Sequence, residues 1–484
     1  MYFPTDLSSS STYPKIHPLP PPPLLLPQPH PNYSLSPICA TSTPSNRNKA
    51  TTNGNNELQP PTREWEGEEG IDRISGLLDG VLGDIISLLP TKNGARTQIL
   101  ASRWRDLWPY APLNLNHNSL PVNEEVQAGL ISHIIANHNG PARRISLPVL
   151  HLHHRRATLN TWLQSPTLKN LQDLEFEATG LVHIPRLRPL LSEYVFKFSH
   201  TLRSATISEC QVRDMIEVRH FPNLKQLGLE SVMISDYAFH NLMVGCPILE
   251  SLLLKRCYGF YSIRINSTSL KSIGLSTNTT KVTIVIEDAP LLERFLKLEL
   301  FIGKCIHVTV ISAPKVETLG SISDCDSDDQ LVFDTTVIQK LDVVSFTRVV
   351  CSVKVLAISI HNLGPGIVIN LMRCFPCMEK LYIQISNVQR SNNICPHMHR
   401  DLIRCLDTSL TTVVLKNYRG TKFEGLACKG NKKLIAKQRR LLHIKERASR
   451  GALFCFTSCR CHSYPPHIKH VDDLSKGDPF KCTC

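Results

Sequence analysis

The chain has 484 residues, 42% of them hydrophobic but only 6% aromatic, so it has room for a large core or several domains built on leucine, isoleucine and valine. A formal net charge of +13 favours acidic partners in general and decides nothing about fold. No apolar run approaches the ~20 residues that cross a bilayer, and 17 scattered cysteines with no opening secretory signal read as reduced packing residues, not a disulfide scaffold.

Residues 1–66 carry no credible core. A serine-rich tract from Ser8 to Thr12, a proline-rich run from Pro18 to Pro31 that favours polyproline II, and an Asn/Ser/Thr-rich stretch from Thr41 to Asn56 predict a disordered tail. The first 60 residues hold only Asp6 and Glu57 as acids, a scarcity shared with transit peptides. Their basic residues are few (Lys15, Arg47, Lys49), however, and the prolines would break an amphipathic helix, so organelle targeting is not expected.

Ile71 to Leu115 predicts three short helices packed on one another. Asp79 is the expected N-cap of the first. Val81, Leu82, Ile85, Ile86 and Leu89 recur at helical spacing and make one apolar face, and Pro90 stops the helix. A second helix is expected over Lys92 to Leu100 and a third over Arg103 to Trp108. Such a unit is too small to bury its own apolar residues well. Either it docks on the domain that follows, or part of its apolar face belongs to another protein.

DRIS, then Leu77, Asp79, Leu82, Ile85, Ile86, LLPTK, RT and RWRDLW resemble, nearly end to end, the F-box of plant F-box proteins. Leu78 stands where that family commonly has proline, and Ala101 where it has serine. The resemblance implies docking on the Skp-type adaptor of a cullin-RING (SCF) ubiquitin ligase, through Leu77, Leu78, Leu82, Ile85, Ile86, Leu89, Ile99 and Trp104.

Val122 to Asn139 then predicts a helix and Arg144 to His151 a strand. A repeated pattern follows: Leu171, Leu174 and Phe176; Leu202, Ala205 and Ile207; Leu224, Leu227 and Leu229; Leu249, Leu252 and Leu254. Later echoes fall at Leu270 and Ile273, Val316 and Leu319, Leu341 and Val343, Leu356 and Ile358, and Leu381 and Ile383. LxxLxL recurring every ~20 to 29 residues is the signature of leucine-rich repeats, each supplying one short strand whose leucines point inward. From Leu227 to Leu252, Ile273 and Phe295 the steps are 25, 21 and 22 residues, which predicts an irregular arc. Asp236 to Cys246 predicts an outer helix between strands. The phrases HFPNLKQLGLESVMISD, GCPILESLLLKRCYGF and CFPCMEKLYI also resemble the plant family's repeats.

At the C-terminal end, Cys405 to Gly420 resembles the start of an FBD domain, and Leu434 to Gly451, FTS and CHSYPPHIKHVDDLS resemble its end and the tail of grass members. Only Thr421 to Lys433 lies between, where the family has a further strand and helix, so the region reads as an internally shortened FBD.

No catalytic constellation emerges: there is no phosphate-binding glycine loop, no HExxH and no GxSxG. His151, His153 and His154 read as a partly exposed strand edge, and Cys374 and Cys377 as packing residues. Asp324, Asp326, Asp328 and Asp329 read as a solvated acidic loop, since the glycine turn and distal glutamate of an EF-hand are lacking. Cys455, Cys459, Cys461, His462, Cys482 and Cys484 meet no usual zinc-finger spacing. Lys429 to Arg450 holds nine basic residues against Glu446 alone and reads as a solvated helix face, with nuclear import as its functional alternative. No metal and no cofactor is expected.

The fold expected is α/β: a short helical F-box followed by an irregular leucine-rich-repeat solenoid with one strand per repeat, after a disordered N-terminal tail. The domains expected are 1–66 (tail), 67–115 (F-box), 116–400 (repeats), 401–470 (FBD-like, shortened) and 471–484 (tail). The resemblance implies a non-catalytic substrate receptor in the nucleus or cytoplasm, contacting the adaptor and through it cullin and RING subunits. A target protein would lie on the concave strand surface, touching residues between the leucines. A non-ligase repeat scaffold, a degenerate copy of the family and a basic nucleic-acid-binding protein are the alternatives.

Overall fold

A computed structural model describes residues 74, 76–177, 188–214, 220–298, 305–324, 329–345, 348–360, 365–385, 409–416, 453–457 and 466–481. The expected N-terminal tail, the Thr421–Lys433 junction, the basic stretch 429–450, Asp326 and Asp328, and Cys459, Cys461, His462, Cys482 and Cys484 lie outside the described residues.

Three helices open the described chain: α1 (Asp79–Ser87), α2 (Thr91–Arg96) and α3 (Leu107–Tyr110). Single 3-10 turns over Thr97–Ile99 and Ser102–Trp104 lie between the last two. Asp79 is not the N-cap. Leu78 takes that position with extended backbone, and Asp79 sits in the first turn facing Arg103 at 2.7 Å. A carboxylate there complements the helix dipole without capping it.

Strand β1 (Leu113–Asn116) starts a parallel sheet, α4 (Glu124–Asn137) crosses over, and β2 (Ala142–Pro148) pairs with β1. The Asn123 side chain caps α4 by accepting from the Val126 amide at 3.0 Å. The predicted strand over Arg144–His151 therefore ends at Pro148. The histidines expected on its edge lie instead on the short helix α5 (Leu150–His154), followed by α6 (Arg156–Leu163).

The repeats proper follow. β3 (Asp173–Glu177), β4 (Ser204–Ser208), β5 (Gln226–Glu230) and β6 (Ser251–Cys257) extend the sheet, with α7 (Asp236–Val244) between the last two, capped by Ser235. β7 (Ser262–Asn266), β9 (Lys281–Asp288) and β11 (Cys305–Val310) alternate with β8 (Ser272–Thr277), β10 (Arg294–Lys297) and β12 (Thr318–Ser323). Next come β13 (Gln330–Phe333), β14 (Thr336–Gln339) and β15 (Asp342–Ser345). β16 (Val355–Ile360), α8 (Pro365–Cys374), β17 (Lys380–Ile385), β18 (Thr412–Lys416) and β19 (Leu453–Thr457) complete the chain.

The main sheet has 13 strands in the order β1-β2-β3-β4-β5-β6-β8-β10-β12-β16-β17-β18-β19, every pair parallel. Its register aligns the repeat residues into one ladder: Leu115, Ile145, Leu174, Ala205, Leu227, Leu252, Ile273, Phe295, Leu319, Leu356, Leu381 and Val413. All twelve are buried in one continuous core, as stacked repeats require because each covers its neighbour. β18 and β19 continue the same sheet in register.

A second sheet of six strands, β15-β14-β13-β11-β9-β7, closes the other side of the core. Between β6 and β12 the returning segments are strands, where α7 and α8 are helical returns elsewhere. KVTIVIED and CIHVTV explain this: β-branched residues alternating at period 2 suit a half-buried strand and lose rotamer freedom in a helix. Val282, Ile284 and Ile286 point into the core. Leu341 and Val343 are not a repeat of the main sheet. They belong to β15 and the turn before it, at the antiparallel edge of the second sheet.

Asp329, expected in a solvated loop, is buried. It accepts from the Ile306 amide at 2.8 Å and pairs with Lys297, linking β11 to β10. Among the described residues no helix is long and apolar enough to cross a membrane.

Candidate interaction surfaces

The three-helix unit has a small core of its own: Leu82, Ile86, Trp104 and Ala111, with Leu77, Leu107 and Trp108 packed against it. Gly94 makes that packing work. A β-carbon there would lie 2.9 Å from the Trp108 indole nitrogen. Arg103 reaches back to Asp79 and donates to the Leu77 carbonyl at 2.5 Å, tying the third helical segment to the start of the first. Both members of the ion pair are solvated, so its contribution lies in orientation more than in energy.

The outer side of this unit is apolar. Leu78, Val81, Ile85 and Leu88 follow one another at steps of three and four along α1 and its flanks, and all are exposed, Leu78 by 77% and Ile85 by 42%. Ile99, at 84%, and Leu100 are exposed on the next turn. Large aliphatic side chains concentrated in this way on a small unit mark an interaction surface.

The eight residues expected to hold a partner are thus divided. Leu78, Ile85 and Ile99 are exposed, Leu77 and Leu89 are half-buried, and Leu82, Ile86 and Trp104 form the core behind them. A residue in that core cannot touch a partner while the unit stays folded, so these three act by holding the face in shape. Val81, Leu88 and Leu100 complete the exposed set. Leu88 was legible in the sequence, ten residues after Leu78 on the same helical stripe.

The unit is fixed to the repeats. The amides of Asn139 and Gly140, just after α4, donate to the Pro109 carbonyl at 2.9 and 3.0 Å. His138 Nε2 donates to the Ala111 carbonyl at 2.8 Å, and its ring meets Trp108 edge-on at 5.2 Å. Burial pushes the His138 pKa down, more than that hydrogen bond raises it, which suits a neutral ring giving a single N–H.

The second surface is the face of the main sheet turned away from that core, where outward residues were expected to await a target. Much of it is occupied by residues 466–481. Ile468, Val471, Leu474 and Phe480 are buried against Leu253, Leu296, Leu298, Ala357, Tyr382 and Val414, which alternate with the core ladder along their strands. Residues 466–470, expected at the end of the FBD-like region, and 471–481, expected in the tail, together form a docked strap.

Polar contacts run along its length. His470 Nδ1 lies 3.1 Å from Glu175 Oε1 on β3. The hydrogen bond to Glu175 raises the His470 pKa, while His470 and Arg144 together outweigh burial and hold Glu175 below the usual carboxylate range. Arg294 donates to the carbonyls of Leu474, Lys476 and Gly477 at 3.0–3.2 Å. Asp478 accepts from Lys380 at 2.8 Å and from the Tyr382 hydroxyl at 2.6 Å, and Lys416 donates to the Phe480 carbonyl at 2.5 Å. Burial pushes the Lys416 pKa down to about 8.

His151 has a separate, structural consequence. It is fully buried, edge-on to Trp162 at 5.1 Å, and neither ring nitrogen has a hydrogen-bond partner among the described residues. Burial pushes its pKa down to about 4. The folded chain thus binds fewer protons there than the unfolded chain, and stability is lost as pH falls from about 6.5 towards 4. His151→Leu is expected to flatten that acid limb, read as denaturant midpoints across buffers from pH 7 to 4. An unchanged slope would assign the limb to other groups.

Among the described residues no group of three or more His, Cys, Asp or Glu is placed to hold a metal. Cys374, of the CxxC pair, is buried, and burial raises its thiol pKa to about 11.

Comparison with known proteins agrees with this architecture. Residues 159–383 match the family model described as "FBD-associated F-box protein At5g56370, LRR repeats". Among similar proteins of Arabidopsis thaliana, F-box/FBD/LRR-repeat protein At2g26030 is 28% identical over 236 residues, 46% of this chain and 52% of the relative. F-box/FBD/LRR-repeat protein At5g22700 is 28% identical over 209 residues, 42% of this chain and 46% of the relative. F-box/LRR-repeat protein At5g35995 is 29% identical over 191 residues, 38% and 40% of the two. The match spans about half the length of these relatives or less. The chain is related to the plant F-box/FBD/LRR-repeat proteins.

Proposed function

We propose that the chain is the substrate-receptor subunit of an SCF-type, cullin-RING ubiquitin ligase. The observation that carries this reading is the exposed aliphatic stripe of Leu78, Val81, Ile85 and Leu88 on a helical unit anchored to a long parallel repeat sheet. In this reading residues 67–115 are the F-box, with Ile99 and Leu100 beside the stripe and Leu77 and Leu89 at its margin. Residues 116–400 are the repeats, 401–470 the FBD-like region continuing their sheet, and 471–484 the C-terminal tail. A Skp-type adaptor covers the stripe and brings cullin and RING subunits, while the repeat side recruits a target protein.

The chain contributes position, not chemistry. Holding a target lysine near an activated ubiquitin converts an encounter between separate molecules into a local one, which alone supplies a large rate gain. The expected setting is the nucleus or cytoplasm, with nucleic acid and membrane playing no part.

The test is reconstitution. Full-length chain co-expressed with a plant Skp-type adaptor should elute with it as a stable complex that then takes up cullin. A chain that elutes alone, folded and monodisperse, would remove the ligase reading and leave a repeat scaffold.

A further inference from the structure

We propose that the face of the main sheet beneath residues 466–481 is a recognition groove for a short acidic and apolar segment of a partner protein, and that the chain's own strap holds this groove closed until such a segment displaces it. The proposal rests on the receptor reading, since it names the chemistry of what the repeats recruit.

The face is shaped for a ligand of this kind. Gly274 on β8 lies directly under Leu474. A β-carbon at Gly274 would come within 2.7 Å of the leucine methyl group, so the absent side chain is what makes the socket. Tyr382 packs against Phe480 with the rings tilted by 45° and their centroids 5.4 Å apart. Arg294, Lys380 and Lys416 bring three cations to one side of the face, and the strap answers with Asp478 and with backbone carbonyls.

Most of those bonds end on main-chain oxygens of the strap. They would form equally with any segment that takes the same path, a 3-10 turn over Val471–Ser475 and then the bend at Gly477, because every residue offers a carbonyl. Identity is read at six side chains: aliphatic residues at the positions of Ile468, Val471 and, in the Gly274 socket, Leu474, a hydrogen-bonding residue opposite Glu175, an acid between Lys380 and Tyr382, and an aromatic two residues after that. A groove that reads backbone plus these six side chains fits a short linear segment better than a folded surface.

The strap is also built as a separable piece. Its apolar residues and the face they cover form a cluster distinct from the continuous core on the other side of the sheet. Removing the strap exposes that cluster and leaves the repeat ladder intact.

The experiment uses the full-length chain and a fluorescein-labelled peptide of residues 466–481 as probe. Wild-type chain should not bind the peptide, since its groove is filled. A strap variant, Leu474→Asp with Phe480→Asp, should bind it at micromolar concentration, and at least tenfold more weakly when the peptide carries Asp478→Asn. Adding Gly274→Leu to the strap variant should abolish binding by filling the socket. A folded strap variant that binds no peptide overturns the proposal. So does a variant without a cooperative unfolding transition, because the strap would then be part of the core. A strap-exchanged dimer of the wild-type chain, seen by light scattering, would replace self-closure by pairing of two copies. Adaptor binding is measured on the same samples, so failure of the groove and failure of the receptor reading are separate results.

Discussion

Ile85→Asp is expected to eliminate adaptor binding while leaving the isolated chain as stable as wild type. Ile85 is partly exposed on the outer stripe of α1, so in the free protein the new carboxylate stays hydrated and disturbs no packing. In the complex the same carboxylate would be buried without a partner, at a cost of several kcal/mol. Since about 1.4 kcal/mol corresponds to tenfold in affinity, the loss should reach roughly 100-fold or more. Leu88→Asp and Ile99→Asp, at more exposed positions, should behave alike. Trp104→Ala is a contrasting case. Trp104 lies in the small core with Leu82 and Ile86, and truncating a buried tryptophan costs about 3–5 kcal/mol. It should weaken adaptor binding by loosening the helical unit, visible as a lowered unfolding midpoint. Calorimetry on Ile85→Asp with purified adaptor decides the matter, and wild-type affinity would mean the stripe is not the adaptor surface.

That contrast marks where sequence stopped being informative about the site. The spacing of Val81, Leu82, Ile85, Ile86 and Leu89 shows that α1 is apolar on a broad arc, and α1 lies where that spacing puts it, whereas the third helix, expected over Arg103 to Trp108, is a 3-10 turn over Ser102–Trp104 followed by α3 at Leu107–Tyr110. It does not say which half of the arc faces inward. That depends on Trp104 and Trp108, which arrive from the third segment and take Leu82 and Ile86 as neighbours. The repeats were more legible, because each LxxLxL strand lies beside the next and local pattern and global packing coincide. Leu174, Leu227, Leu252 and Leu356 all stand on the expected ladder. The second sheet was readable in principle from the alternation in KVTIVIED, but repeat periodicity draws attention to the leucines and away from the returns. The strap was not readable. Nothing local in VDDLSKGDPF says that Leu474 meets Gly274, two hundred residues earlier.

Gly140→Ala is expected to detach the helical unit from the repeats without destroying either. Gly140 follows α4 where the chain turns towards β2, and its amide donates to the Pro109 carbonyl. A β-carbon built there falls 2.2 Å from the Ala111 carbonyl oxygen and 2.5 Å from that of Tyr110. Both are backbone atoms at the end of α3, so neither can swing away as a flexible side chain would. Alanine therefore pushes the junction apart, at the cost of the paired bonds from Asn139 and Gly140 and of the His138–Ala111 bond. Overpacking of this kind costs about 1–3 kcal/mol. The penalty falls on the contact between the units, because the Leu82–Ile86–Trp104 core and the repeat ladder lie away from it. Denaturant unfolding should show a single transition for wild type and a separated early transition of the helical unit for Gly140→Ala. Adaptor affinity should change little, since the outer stripe of α1 is untouched. On the proposed receptor reading, ubiquitin transfer to a bound target should fall steeply, because a receptor that works by position requires a fixed distance between its two ends. A variant that keeps one transition and full transfer would show that the Pro109–Gly140 junction does not set that distance.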